Sequence, residues 1–179
     1  NEELRLPFHA HAVLPLLPDR DSAMQALMHR SVDVRAAACM RLQDFINDPD
    51  VQQSLLSVLR DAGDLACPAG WALRHAPRTP AFGSTLAELQ ALLVARDPCA
   101  RYGAAIALHP AEGPADALVN ALIAGVAERG TILLPVFEDL AATHDGQKAL
   151  ARITIEKSSQ EQLCPPPSAR PSLQLPLSD

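Results

Sequence analysis

Aromatic side chains are scarce in this chain: one Trp, one Tyr and four Phe among 179 residues. A β-sandwich or barrel relies on aromatic and β-branched side chains to fill a pleated, half-buried surface, so the scarcity counts against an all-β fold. No apolar run reaches eighteen residues, which excludes a transmembrane helix of ordinary length. Charges of one sign never accumulate into a run of five, so the chain carries no basic or acidic arm. Lys and Arg number 15 against 21 Asp and Glu, for a net charge of −6. That is the wrong sign for a long nucleic-acid-binding face. There is no Gly-rich phosphate loop, no HExxH and no GxSxG. The four cysteines, Cys39, Cys67, Cys99 and Cys164, form no CxxC pair and no compact zinc spacing. They read as free thiols of a reducing compartment, which points to the cytoplasm.

What the chain does have is Ala and Leu, the strongest helix formers, and an internal repeat. The segment from Val34 to Leu42 answers the segment from Ala100 to Leu108 at an offset of 66 residues. An intermediate copy, Ala69-Gly70-Trp71-Ala72-Leu73, lies between them, and a weaker one, Leu134-Pro135-Val136-Phe137-Glu138-Asp139-Leu140, follows. The anchoring leucines are Leu42, Leu73, Leu108 and Leu140; thirteen residues beyond each lie Leu55, Leu86, Ala121 and Ile153. Val51, Leu55, Leu56 and Leu59 share one helical face, as do Leu118, Leu122, Ile123 and Val126, and Leu86, Leu89, Leu92 and Leu93 form a related stripe. The pattern predicts a helix pair about every 32 residues. Second helices start after Asp48-Pro49-Asp50, at Ser84, after Gly113-Pro114 and at Asp145. Residues 5–29 read as one more, irregular pair, with Ser22 capping 23–29. Pro68 predicts a kinked or shortened first helix in its unit.

The run Asp97-Pro98-Cys99-Ala100-Arg101-Tyr102-Gly103-Ala104-Ala105-Ile106-Ala107-Leu108 resembles a HEAT repeat of the short bacterial, phycobilisome-lyase-like kind, and the unit around Arg35 matches nearly as well. The units at 61–73 and 129–140 lack the Arg. The resemblance covers residues 20–157 and implies an all-α, right-handed α-solenoid of four to five helix pairs. It divides the chain into a solenoid domain over 1–157, with an irregular cap at about 1–29, and a Pro-rich tail over 158–179. It also implies that Arg35 and Arg101 are structural, each reaching an acidic side chain of a neighbouring unit, with Asp33, Asp64 and Asp97 as candidates.

His75 and His109 fall just past Leu73 and Leu108, and His144 four past Leu140. Three imidazoles along one edge would suit a metal, but a cation-capable side chain also suits the C-terminal dipole of a helix, and no metal or cofactor is assigned. Trp71 lies on the apolar stripe and is expected in the core. Tyr102, Arg74, Arg78, His75 and His109 form the candidate partner-binding set. The expected function is a non-catalytic protein-interaction scaffold that uses its concave face or the tail, where Leu173, Leu175 and Leu177 alternate. A bilin-lyase-like role and nucleic-acid binding of the HEAT-like kind are the alternatives; oligomeric state is left open.

Overall fold

A computed structural model describes residues 10–61, 65–129 and 134–152. Every regular element among them is helical, in line with the composition. The α-helices are α1 (Ala10–Val13), α2 (Arg20–Ala26), α3 (Val32–Leu42), α4 (Pro49–Asp61), α5 (Ala66–Arg74), α6 (Gly83–Leu92), α7 (Pro98–Ala107), α8 (Ala115–Arg129) and α9 (Leu134–Ala141), with a further helical stretch over 144–152. Short 3-10 turns at Leu14–Leu16, Gln43–Phe45, Pro80–Phe82 and Pro110–Glu112 join several of them. The proposed tail at 158–179, the domain boundary at 157 and the first nine residues lie outside the described residues.

Helix starts follow side chains that satisfy free backbone N–H groups. Asp48 accepts from the Asp50 N–H at 2.8 Å ahead of α4, and Asp97 accepts from the Cys99 N–H at 3.0 Å ahead of α7. Two expected caps are corrected. α2 is capped by Asp19, which accepts from the Ser22 N–H at 2.8 Å, so Ser22 lies inside the helix as the return half of a capping box. The stretch over 144–152 is capped by Thr143, whose Oγ1 accepts from the Gly146 N–H at 3.1 Å, and not by Asp145. Ser84 likewise falls within the first turn of α6, which begins at Gly83. Pro68 shortens rather than kinks its helix: α5 starts only two residues earlier, so the missing N–H belongs to a first turn that needs no partner.

The anchoring leucines Leu42, Leu73, Leu108 and Leu140 are all buried, and so are Val51, Leu55, Leu56 and Leu59 along α4. α5 is the centre of the packing. It lies against α3 on one side and α7 on the other, with α4 across it; α7 in turn packs on α4, α6 and α8, and α3 on α1 and α2. Glycine sets the closest approach. A Cβ on Gly70 would stand 2.3 Å from the Gly103 carbonyl oxygen, and one on Gly103 would stand 2.6 Å from that of Ala66. Gly103 is therefore wedged between Ala66 and Gly70, one turn apart on α5, where no methyl group fits. A third glycine, Gly125 of α8, leaves the space that the Tyr102 ring occupies: a Cβ there would come within 2.2 Å of the ring.

Candidate functional site

Most of the candidate partner-binding residues gather at one end of α5 and α7, and the structure commits them inward. Arg74, the last residue of α5, is 7% exposed. Its Nη1 donates to the Ile106 and Leu108 carbonyls at 2.9 and 2.7 Å, and its Nη2 to the Asp139 carboxylate on α9. Arg78 follows four residues later. Its Nε and Nη2 grip both oxygens of Glu112 at 2.6 and 2.9 Å, Nη2 also reaches the Ala107 carbonyl at 2.9 Å, and Nη1 is shared among the Leu73, Arg74 and Ala76 carbonyls. The guanidinium lies over the Phe82 ring, 4.7 Å from its centroid.

The physical reason is the ending of α7. A helix leaves its last carbonyls without intrahelical donors, and here Ile106, Ala107 and Leu108 are buried. Water does not reach them easily, and Arg74 at the end of α5 and Arg78 just beyond it supply the donors. Glu112 completes the arrangement by accepting from the His109 N–H at 2.7 Å, closing the 3-10 turn after α7. Burial pushes the Glu112 carboxyl up, but the Arg78 hydrogen bonds and the His109 N–H outweigh it and hold the pKa below the ordinary carboxylate value. His109 is lowered for the opposite reasons: partial burial first, then the nearby charges of Arg78 and Arg74. All five N–H groups of Arg78 are engaged within the chain, which leaves no donor for a ligand.

The other members of the set separate from this hub. Tyr102, expected at a partner surface, is fully buried, because Gly125 makes room for its ring against α8. It is a core residue. Trp71 is half-buried against the core, with its ring edge-on to His75 at 5.2 Å. His75 is the exposed member, its Nδ1 2.8 Å from the Trp71 carbonyl. Among the described residues no three His, Cys, Asp or Glu side chains form a ligand set, so His75, His109 and His144 do not converge.

The expected pairing of the two repeat arginines with acidic side chains falls partly outside the described residues. Among the described residues no carboxylate pairs with either one, and Asp64 lies outside those residues. Arg101 donates through Nη1 to the Ala95 and Arg96 carbonyls at 2.8 and 3.1 Å, bracing the link that precedes its own helix. Arg35 has a buried Nε with no hydrogen-bond partner. Its charge lies near Cys39, but burial dominates there and pushes that thiol up to about 12, far from a reactive thiolate.

Sequence reasoning missed Glu112 and Asp139 as partners. Glu112 carried a signal, since it stands three residues after His109 at capping-box spacing. Asp139 carried none, because it meets Arg74 across 65 residues. Comparison of the chain with protein-family models, with curated proteins and with solved structures found no match.

Proposed function

We propose that this chain is a non-catalytic protein-interaction scaffold, a right-handed α-solenoid of HEAT-like helix pairs: α1 with α2, α3 with α4, α5 with α6, α7 with α8, and α9 with the helical stretch over 144–152. The observation that carries this reading is a duplicated link. α2 ends at Ala26 and α3 starts at Val32; α6 ends at Leu92 and α7 starts at Pro98, all at the offset of 66. The Met28 and His29 N–H groups donate to the Gln25 and Ala26 carbonyls; the Val94 and Ala95 N–H groups donate to those of Ala91 and Leu92. The same turn is built twice from different side chains, as stacked repeats require.

A stack of helix pairs presents an extended surface held at fixed spacing, and that is what protein scaffolds use. The inward commitment of Arg74, Arg78 and Glu112 supports the reading, because it rigidifies the stack between units. Nucleic acid is the poorer fit: the net charge is −6, Tyr102 is buried and Trp71 leans on His75, which leaves no row of rings for stacked bases.

The test is affinity capture with the purified full chain, followed by reconstitution of any retained protein with that chain and calorimetric titration. A scaffold yields a stoichiometric binary complex. Absence of any protein that rebinds the purified chain would contradict the reading. Removal of residues 158–179 then separates the concave face from the tail as the binding element.

A further inference from the structure

We infer that the duplicated link is itself the docking edge of this scaffold, and that its occupant is an extended acidic segment of a partner protein carrying two apolar side chains. The inference rests on the protein-binding reading above and says where the partner sits and what it is made of.

Three large apolar side chains stand out as exposed among the described residues: Leu16, Met28 and Val94. Single exposed apolar residues are ordinary on any protein. Met28 and Val94, however, occupy the same place in the two copies of one turn, 88% and 81% exposed, while the preceding Leu27 and Leu93 are both buried. Two residues after each comes an exposed arginine, Arg30 and Arg96. Neither guanidinium has a carboxylate partner among the described residues, a state shared with the half-buried Arg35 and Arg101, whereas those of Arg20, Arg41, Arg60, Arg74, Arg78 and Arg152 all have one. The Asp97 carboxylate beside Arg96 is turned onto the Cys99 N–H at the start of α7. An acidic molecule thus places two cations with no carboxylate partner among the described residues, each beside an apolar side chain, at matching points of its turn.

The geometry gives the spacing. The two links lead into α3 and α7, which flank α5. With neighbouring helix axes about 8–10 Å apart, the two points lie roughly 16–20 Å from one another. An extended peptide rising about 3.3 Å per residue spans that in about six residues. The matching ligand is a strand with an apolar residue flanked by carboxylates, repeated six positions further on. Charge complementarity selects it over a basic or neutral partner.

The probe is a fluorescein-labelled peptide, Asp-Leu-Glu-Gly-Ser-Gly-Asp-Leu-Glu, titrated with the full chain and read by anisotropy at low salt. A control peptide of the same composition has its leucines adjacent. The variants are Arg30→Glu with Arg96→Glu, Met28→Ser with Val94→Ser, and Lys148→Glu as a charge control on another exposed cation. All replace exposed side chains, so a melting curve unchanged from the native chain shows that each is folded. The expected result is a loss of at least about tenfold in affinity for either double variant, weaker binding of the control peptide, and little change for Lys148→Glu. A probe that fails to bind the native chain, or that binds the double variants as tightly, overturns the inference, as does an equal loss in Lys148→Glu. For a partner recovered by capture, equal binding to the native chain and to the arginine double variant overturns the docking edge while the scaffold reading stands. A chain that binds the probe through this edge yet rebinds no cellular protein fails in the opposite way.

Discussion

α3 and α7 hold equivalent places 66 residues apart and enter from the same turn, yet they are fastened differently. α7 is gripped on every side. Gly103 lets it touch the α5 backbone, Tyr102 fills a notch in α8, its C-terminal carbonyls are held by Arg74 and Arg78, and Arg101 braces the link before it. α3 has Ala37 where α7 has Gly103 and Ala36 where α7 has Tyr102, and its own repeat arginine, Arg35, leaves a buried nitrogen unpaired. It continues directly into the 3-10 turn Gln43–Phe45. The difference teaches that the two segments share the path of the backbone through the turn, while the strength of each joint depends on side chains that do not match.

The sharpest way to break the comparison is to exchange its small residues. Gly103→Ala forces a methyl group to 2.6 Å from the Ala66 carbonyl oxygen, and the loss expected in urea unfolding is about 3 kcal/mol. The counterpart Ala37→Gly costs only about 1–2 kcal/mol, from helix propensity and one buried methyl group. Next in size is Arg74→Met, which keeps the side-chain bulk but strands the Ile106 and Leu108 carbonyls. About 2–3 kcal/mol is expected by the same measurement.

Smaller again is the contrast between the repeat arginines. Arg101→Met removes two carbonyl bonds and costs about 1 kcal/mol, whereas Arg35→Met removes an unsatisfied buried nitrogen and stays within about 0.5 kcal/mol of the native chain or stabilises it. The smallest effect is in pH. The folded pKa of His109 lies below its ordinary 6.5, so the unfolded chain takes up the proton first as pH falls. This contribution to stability is complete above that value and is lost as pH drops through the folded pKa. Melting temperature followed from pH 7.5 to 5.5 therefore declines less in His109→Gln than in the native chain. Glu112, also lowered, adds its own loss at more acidic pH, as the medium passes below 4.5 and through its depressed folded value.

The helices were legible because their signal is periodic. Leu42, Leu73, Leu108 and Leu140 mark buried turns, and each lies in or just after a helix that the spacing locates. The caps were half legible: Asp48 was readable, but Asp97, expected as an ion-pair candidate, caps α7, and Asp19 and Ser22 are both competent caps between which only the backbone angles decide. The candidate site was the least legible part. Tyr102 stands among small residues, which on a sequence suggests an exposed ring; those small residues, with Gly125 on another helix, are what allow the ring to be buried. Arg74 and Arg78 looked available because their main partners are backbone carbonyls, and carbonyls leave no trace in a sequence. The matching exposure that motivates the proposed docking edge was hidden similarly. Met28 and Val94 differ as residues, and only their shared exposure in the same turn makes them a pair.

The most direct measurement is native-state hydrogen exchange, comparing the amides of α3 with those of α7. Seven of the ten residues of α7 are buried against five of the eleven in α3, and the C-terminal carbonyls of α7 are held by Arg74 and Arg78. The account predicts that the α7 amides exchange only by global unfolding, while those of α3 open at a lower free energy. Equal protection of the two helices, or a more protected α3, would contradict it.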